Sequence, residues 1–359
     1  MKFRGNDDSE GGDTGPWLVA DFGGTNARFG VVHPDTGSLE EVDVLACADF
    51  ARAEDAIRAY VKRHGIRGLT RGCIAAAGPV DQDPVDLPNN HWTLYRRQLE
   101  ELLGVPVLLI NDFTAQALCI DHLEEDQLVW LGTPRPAERG IRTVVGPGTG
   151  LGVAIQTTGG EVIPSEAGHV GFAPTSRHGI ELLQALLSRF PRVSVERIVS
   201  GPGLENLYWA NYRLADAALP LEGALKSARE VAELASRGNS AALQSVQDFF
   251  DVLASFAGDM ALATWATGGV FLSGGAFRKL LPFFDPERFR AHFEDKGRFT
   301  RFCETVPVAW IRPEYPGLIG CAAVLDGWDP QGDPFSDEGG TLPTRVEQDP
   351  DGARARRRL

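Results

Sequence analysis

The sequence predicts an α/β protein of two domains, and three observations lead to that prediction. A continuous apolar run at residues 107–110 stops abruptly at Asn111 and Asp112, which is typical of a buried strand in a parallel sheet. Two glycine-rich hairpins with similar sequences lie on either side of this run, at residues 18–32 and 143–154. The length of 359 residues is large for one hydrophobic core, so two domains are expected.

The composition limits the classes of partner. The chain carries 35 Lys and Arg against 49 Asp and Glu, a net charge of -14, which argues against nucleic acid or an anionic membrane. Its five cysteines are scattered and never spaced as Cys-x-x-Cys, so we expect reduced thiols and a cytoplasmic protein. A secretion signal and an apolar run of about 18 residues are both lacking, which predicts no membrane partner.

The first hairpin follows residues 1–16, which are polar, acidic and glycine-rich and are predicted to be disordered. Its turn contains Gly23, Gly24, Thr25 and Asn26. Glycines let backbone amides approach an anion, and a threonine hydroxyl adds a donor. The turn is therefore a candidate phosphate site, although a tight hairpin without a ligand is the alternative.

The next elements complete the N-terminal third. Helical spacing of apolar residues predicts a helix at residues 53–64, and an apolar run predicts a strand at 73–79. Residues 86–92 form a polar loop with Asn90 and Trp92. Its amides are able to bind a polyhydroxylated ligand whose apolar face the Trp would line, but the loop's residues favour a plain turn.

The apolar strand at residues 107–110 is followed by a helix that is predicted to begin with Thr114 as its cap. In parallel sheets, groups at the carboxyl ends of strands face the ligand crevice. Asn111 and Asp112 are therefore candidate site residues.

The second hairpin repeats the first. Gly148 and Thr149 match Gly24 and Thr25 in position within an apolar strand, turn and strand pattern. A pair of such turns is able to hold a polyphosphate from two sides.

Three polar residues follow this hairpin. Glu166 and His169 lie three apart in a segment interrupted by glycine. The pair suggests a metal site, but no third ligand follows at the right spacing, and hydrogen bonding to a hydroxylated ligand fits at least as well. Glu196 precedes a helix that is predicted from about Leu204. A lone Glu in such a place is usually a surface charge.

The longest helical pattern covers residues 241–267, with a wide apolar face for the core or a subunit interface. A strand from Val270 then leads into Gly274 and Gly275, where a flat ring or a phosphate has room to lie against the backbone.

The C-terminal part holds a final strand at residues 306–311 and a final helix at 316–325. Residues 327–359 are rich in Pro, Gly and Asp and are predicted to be disordered. The basic tip of this tail is too short to indicate nucleic-acid binding.

Six motifs together resemble those of the bacterial glucokinases, which belong to the hexokinase, actin and Hsp70 ATPase superfamily. The resemblance extends from about Trp17 to about Leu325. It implies two actin-like, ribonuclease H-like domains of mixed sheets flanked by helices, closing over a cleft for ATP and sugar. The small domain would comprise residues 17–122 and 313–326, and the large domain 123–312. The motifs are residues 21–28, 110–114, 146–152, 166–169, 196–203 and 271–275.

The same resemblance implies ATP-dependent phosphorylation of the 6-hydroxyl of D-glucose, the entry step of glycolysis. Asp112 would take the proton from this hydroxyl, and Asn111 with Asp112 would hold neighbouring hydroxyls. Glu166, His169 and Glu196 would bind hydroxyls on the anomeric side of the sugar. This chemistry agrees with the residue types, because phosphoryl transfer requires mainly positioning, charge neutralisation and one base.

For the nucleotide, the resemblance implies that Asp21 holds Mg²⁺ through water and that Gly274 and Gly275 lie against the adenosine. Asn90 would be a weaker sugar contact. The family is commonly dimeric, so a homodimer is expected. The ATP phosphates would be cradled by Gly23, Gly24, Thr25, Asn26, Gly148 and Thr149.

The chain also departs from the family pattern. Ser165 and Ala167 replace glycines of the usual sugar loop, which makes the loop stiffer. A cysteine-rich zinc motif found in related kinases is lacking, so no structural zinc is expected. The alternatives are a kinase for mannose, glucosamine or fructose, a sugar-sensing regulator without turnover and, on fold alone, a filament protein; ADP or polyphosphate in place of ATP stays open.

Overall fold

The computed structural model describes residues 15–132, 140–216 and 221–328, with the backbone alone at Leu221 and Glu222. Up to residue 125 the elements are β1 (Trp17–Phe22), β2 (Asn26–His33), β3 (Ser38–Ala46), α1 (Ala53–His64), β4 (Arg71–Ala76), β5 (Val85–Asp86), β6 (Thr93–Leu94), α2 (Arg96–Leu103), β7 (Val107–Asn111) and α3 (Asp112–Leu118). The following elements are β8 (Leu128–Trp130), β9 (Arg142–Pro147), β10 (Leu151–Gln156), β11 (Val162–Ser165), α4 (Arg177–Leu187), α5 (Gly201–Ala215), α6 (Leu221–Ala224), α7 (Ala228–Ser236), α8 (Ser240–Thr264), β12 (Gly269–Leu272), α9 (Gly275–Leu280), α10 (Pro286–Glu294), α11 (Thr300–Thr305), β13 (Val308–Ile311) and α12 (Pro316–Asp326).

The described chain divides into two compact units. The second unit comprises Asp126–Ile155 and Ser165–Arg312, and the first comprises the rest. Residues 123–125 and Gln156–Pro164 therefore group with the first unit, whereas the sequence prediction assigned them to the large domain. Each unit is a sheet flanked by helices, and the predicted α/β fold class is confirmed.

The first unit is built on a five-stranded sheet in the order β3-β2-β1-β4-β7. β1 and β2 form the predicted antiparallel hairpin, while β4 runs parallel to β1 and β7 runs parallel to β4. Helices α3 and α12 are in backbone contact, since a Cβ at Gly320 would lie 1.7 Å from the carbonyl oxygen of Ala115. The parallel strands bring the carboxyl ends of β1, β4 and β7 to one edge of the sheet.

Aromatic side chains fill the core of this unit. Phe22 contacts Phe29 and Trp92 edge-on, with ring centroids 5.5 Å apart in both pairs, and Phe29 stacks on Tyr60 at 4.8 Å. Trp92 is 2% exposed, and its indole Nε1 donates to the carbonyl oxygen of Phe50 at 3.1 Å. Its indole is therefore part of the core, and the suggestion that it lines the apolar face of a ligand is wrong.

The second unit is built on a six-stranded sheet in the order β11-β10-β9-β12-β13-β8. β9 and β10 form the second predicted hairpin, and β12 runs parallel to both β9 and β13. The long helix α8 packs against α5, α7 and α10 and buries Phe249, Leu253 and Ala257 completely. The helix ends at Thr264, before the predicted end at Thr267, because Trp265 adopts the left-handed conformation with φ 55°.

Two helices begin earlier than predicted. The cap of α3 is Asn111 and not Thr114: Asn111 Oδ1 accepts from the amides of Phe113 at 2.9 Å and Thr114 at 3.1 Å. Both residue types are good caps, and the end of the strand at Asn111 decides between them. Similarly, α5 begins at Gly201 with Ser200 as its cap, so the predicted start at about Leu204 is three residues late.

The predicted disordered arm and tail fall mostly on residues 1–14 and 329–359, outside the described residues. Where the chain is described, the prediction is wrong at its edges. The carbonyl oxygen of Pro16 accepts from the Thr70 amide at 3.1 Å, and that of Trp328 accepts from Arg71 Nη1 at 2.6 Å. Pro16 and Trp328 are thus attached to the first unit.

Two further features concern the environment of the protein. All five cysteines are free and buried, as expected from their spacing. Across the described ranges, none of the helices combines the length and the hydrophobicity needed to cross a bilayer.

Candidate active site

Asn111 and Asp112 lie where strand β7 ends and helix α3 begins. The strand pairing aligns Asn111 with Ala76 at the end of β4, so both residues lie at the edge of the sheet where the parallel strands end. Asp112 Oδ1 accepts from the amide of Phe113 at 3.0 Å. The carboxylate therefore lies at the first position of α3 and is held by the backbone of the next residue.

Asn111 has a structural role that the sequence does not reveal. Its Oδ1 caps α3, and its Nδ2 donates to the carbonyl oxygen of Gly78 at 3.4 Å. The side chain is therefore fixed beside Asp112. Its predicted contact with sugar hydroxyls stays a prediction.

The first glycine turn lies at the end of β1, on the same edge. The amide of Gly23 donates to the carbonyl oxygen of Asn26 at 3.1 Å, and the carbonyl oxygen of Thr25 accepts from the Cys47 amide at 2.9 Å. A Cβ at Gly24 would lie 2.9 Å from both the Cβ and the carbonyl oxygen of Asn89. The 86–92 loop therefore packs directly on this turn and requires a glycine there.

Asn90 extends this contact. The 86–92 loop forms the favoured turn, with the Asn90 amide donating to the carbonyl oxygen of Leu87 at 3.0 Å. Asn90 Nδ2 donates to the carbonyl oxygen of Gly23 at 3.1 Å, while its Oδ1 is buried and has no protein partner among the described residues. The side chain therefore supports the first turn, and its remaining acceptor is available to a ligand or water.

Asp21 lies in β1 beside the first turn. Its Oδ2 accepts from Arg28 Nη1 at 3.2 Å, and a Cβ at Gly317, in the first turn of α12, would lie 3.1 Å from its Cγ. Burial raises the pKa of Asp21, and the charge and hydrogen bond of Arg28 oppose that shift. A carboxylate held between an arginine and a helix N-terminus is fixed in position.

The second unit brings Glu166, His169 and Glu196 together. His169 Nε2 lies 3.8 Å from Glu166 Oε2, and His169 Nδ1 lies 3.8 Å from Glu196 Oε1. These distances exceed a normal hydrogen bond, so the groups remain able to bond a ligand. No cluster of three or more His, Cys, Asp or Glu suited to a metal ion occurs in the described part of the chain.

The two loops that carry these residues are joined through their backbones. The Phe172 amide donates to the carbonyl oxygen of Val193, and the Val195 amide donates to that of Val170, both at 3.0 Å. Arg192 Nη1 also donates to the carbonyl oxygen of His169 at 2.8 Å. The three side chains are therefore presented by one connected structure.

The second glycine turn adjoins these loops. The Gly148 amide donates to the carbonyl oxygen of Gly150 at 2.7 Å, and the carbonyl oxygen of Gly148 accepts from the Gly201 amide at 2.8 Å. Gly274 has φ 94°, and a Cβ there would lie 2.3 Å from the carbonyl oxygen of Pro147. A Cβ at Gly148 would meet nothing within 4 Å, so the outer face of the turn is open.

Thr149 and Gly275 complete the predicted nucleotide set. Thr149 is exposed in the second turn, and Gly275 begins α9 with no atom within 4 Å of a Cβ placed on it. Both positions are accessible to a ligand. Their contacts with phosphate and adenosine stay predictions.

Several residues that shape the site were not identified as such from the sequence. Gly150, Gly168 and Arg28 all lie inside motifs. Gly150 and Gly168 approach Glu196 and Leu151, which are distant from them in the chain, whereas Arg28 contacts Asp21, its partner in the first hairpin. The interpretation of Glu196 as a surface charge is wrong, because its side chain is 27% exposed and its Oε2 accepts from the Leu151 amide at 2.9 Å. The glycines of the motifs were visible in the sequence, but the residues that they contact were not.

Comparison with known proteins places the chain among related sequences. A family model described as Glucokinase matches residues 18–327. A glucokinase from Chromohalobacter salexigens is 40% identical over 316 residues, which cover 87% of this chain and 98% of that protein.

Solved structures give the same relationship. The structure of a glucokinase from an Antarctic psychrotroph has a TM-score of 0.73 and 32% identity, covering 86% of this chain and 97% of the other. A glucokinase of the ROK family from Streptomyces griseus, solved in complex with glucose and AMPPNP, has a TM-score of 0.60 and 22% identity, covering 86% of this chain and 98% of the other. This second likeness concerns the fold.

Proposed function

Because the chain belongs to the glucokinase family, we propose that it transfers the γ-phosphoryl group of ATP to the 6-hydroxyl of D-glucose, giving glucose 6-phosphate and ADP. The observation that carries the proposal is the grouping of Glu166, His169 and Glu196 around one imidazole. An ATPase without a sugar substrate has no need of this set. The three side chains together offer acceptors and a donor to a polyhydroxylated ligand.

Asp112 is the proposed base. Its carboxylate takes the proton of the sugar 6-hydroxyl as the bond to phosphorus forms. The hydrogen bond from the Phe113 amide and the start of α3 hold the carboxylate in place. Phosphoryl transfer passes through a loose transition state, so positioning of the hydroxyl contributes more than strong basicity.

Recognition of glucose is assigned to two sets of residues. Asn111 and Asp112 hold hydroxyls near the reacting one, with Asn90 as a weaker contact, and Glu166, His169 and Glu196 hold hydroxyls on the anomeric side. An epimer would leave one of these groups unpaired, and such a loss discriminates strongly when the groups are desolvated.

The phosphates of ATP are assigned to the two glycine turns and the adenosine to Gly274 and Gly275. Mg²⁺ prefers carboxylate oxygen and retained water, and Asp21 fits this preference because it is a carboxylate beside the first turn, held in place by Arg28 through Oδ2. Asp21 would hold Mg²⁺ through water. The ion supplies neutralisation of the charge on the transferred phosphoryl group.

The wider biology is also proposed. A cytoplasmic location is supported by the five free thiols, and entry of glucose into glycolysis follows from the product. A homodimer stays a prediction. Mannose, glucosamine and fructose remain alternative acceptors, and a sugar sensor without turnover remains the alternative from another class.

The test is a coupled assay that measures ADP release from MgATP. It is run with D-glucose, mannose, fructose and glucosamine, and with a blank without sugar. Strong release with glucose alone is expected. Equal release with another hexose would replace the acceptor, while glucose binding without release above the blank would favour a sensor.

A further inference from the structure

The amide of Leu151 connects a predicted sugar-binding residue to the second glycine turn. Leu151 is the first residue after the turn formed by Gly148, Thr149 and Gly150. Its amide donates to Glu196 Oε2 at 2.9 Å. The other carboxylate oxygen, Glu196 Oε1, lies 3.8 Å from His169 Nδ1. The Glu196 carboxylate therefore has one oxygen bonded next to the turn and the other oxygen near His169 of the predicted sugar-binding group.

The space around this bond is closed. A Cβ at Gly150 would lie 2.5 Å from Glu196 Oε2, closer than non-bonded atoms approach, and 3.4 Å from its Cδ. A Cβ at position 150 would therefore displace the carboxylate from its present place on the Leu151 amide. On its other side, the carbonyl oxygen of Leu151 would lie 1.9 Å from a Cβ at Gly168, in the loop of His169.

The N-terminus of helix α5 also holds this turn. The Gly201 amide donates to the carbonyl oxygen of Gly148 at 2.8 Å, and Ser200 Oγ donates to the carbonyl oxygen of Glu196 at 2.8 Å. The backbone of Glu196 is thus held by Ser200, the cap of α5. The Glu196 side chain is then able to fix the position of Leu151, the residue that follows the turn. A charge-assisted hydrogen bond to a backbone amide is suited to that role.

We propose that Glu196 is a positioning residue for the phosphate-binding turn, acting through the Leu151 amide, in addition to its contact with sugar. This inference rests on the proposed function, which assigns the turn to the ATP phosphates. Loss of the Glu196 carboxylate therefore weakens nucleotide binding even when no sugar is present. Loss of Glu166, whose side chain is 85% exposed and approaches His169 Nε2 at 3.8 Å, weakens sugar binding alone.

The experiment measures the Kd of AMPPNP with Mg²⁺ by calorimetry, without sugar, for four variants. Glu196→Ala removes the acceptor, and Kd is expected to rise about tenfold, as for loss of one charge-assisted hydrogen bond. Glu196→Gln keeps an acceptor oxygen for the Leu151 amide, and Kd is expected to stay within about threefold of wild type. Gly150→Ala displaces the carboxylate and should match Glu196→Ala. Glu166→Gln should leave Kd unchanged.

Gly159→Ala is the control for adding a methyl group to a hairpin glycine, since its Cβ would meet only Thr157 Oγ1 at 3.8 Å. Nucleotide affinity equal to wild type in both Glu196→Ala and Gly150→Ala would overturn the inference. If Glu196→Ala does not fold, Gly150→Ala against Gly159→Ala decides, and equal affinities overturn it. Failure of the wild type to phosphorylate glucose would instead reject the proposed function, because AMPPNP binding is measured without sugar.

Discussion

Replacement of Gly168 by alanine is expected to displace the loop that carries Glu166 and His169. A Cβ at this position would lie 1.9 Å from the carbonyl oxygen of Leu151 and 3.0 Å from its carbonyl carbon. Because real Cβ atoms essentially never approach closer than 3.0 Å, the loop has to move by about 1.1 Å. The obstacle is the backbone of a strand, which yields less readily than a side chain.

A displacement of about 1 Å in a positioning group costs about 10²-fold in rate. For Gly168→Ala we therefore expect kcat/KM for glucose to fall about 100-fold, equivalent to about 2.7 kcal/mol. The loss should lie mainly in a raised KM for glucose. The measurement is initial-rate kinetics with varied glucose at saturating MgATP.

Gly171→Ala is the matched control, because a Cβ there meets nothing within 4 Å although the residue lies in the same segment. Its kcat/KM should stay within about twofold of wild type, a surface substitution being nearly neutral. A Gly168→Ala enzyme that is folded and has the wild-type KM for glucose would refute the assignment of this loop to sugar.

Three further predictions concern sugar binding, packing and pH. Glu166→Gln should raise the KM for glucose about tenfold, because an amide is a weaker acceptor than a carboxylate; an unchanged KM would remove Glu166 from the sugar site. Gly320→Ala places a Cβ 1.7 Å from a carbonyl oxygen of α3 and should lower the free energy of unfolding by about 3 kcal/mol, and an unshifted urea midpoint would contradict that packing. Two carboxylates raise the pKa of His64: first that of Asp43, whose Oδ2 lies 3.2 Å from Nε2, and then that of Glu41, whose Oε2 lies 2.7 Å from Nδ1. The stability that His64 contributes is therefore full below its unfolded pKa of about 6.5. This stability is lost as pH rises through the higher folded pKa. The Tm difference between wild type and His64→Gln should therefore shrink between pH 6 and pH 9, and a constant difference would show that the contact contributes nothing.

The fold was largely predictable because the spacing of apolar residues and the residues that end strands and helices are local signals. The run ending at Asn111 predicted β7, and the glycine turns predicted both hairpins. Helix starts were less predictable where two good caps compete, as with Asn111 and Thr114. The choice depends on where the strand leaves the sheet, which is a property of tertiary packing.

The candidate site was predictable in its residue types but not in its connections. Nothing near Glu196 in the sequence indicates that its carboxylate bonds the Leu151 amide. Likewise, Gly150 and Gly168 looked like ordinary loop glycines, although each leaves space for an atom from a distant part of the chain. Such close contacts join residues that are far apart in the chain, and a single sequence does not reveal them.

Asp112 is proposed to accept the proton when glucose is phosphorylated, and the most direct test of this role is Asp112→Asn. Calorimetry with glucose and the coupled assay with MgATP are run on this variant and on Asp81→Asn, which alters an exposed aspartate. We expect Asp112→Asn to bind glucose with nearly wild-type affinity while its kcat falls by about 10²–10⁴-fold, and we expect Asp81→Asn to be unchanged in both. An Asp112→Asn enzyme with near-normal kcat would contradict the claim.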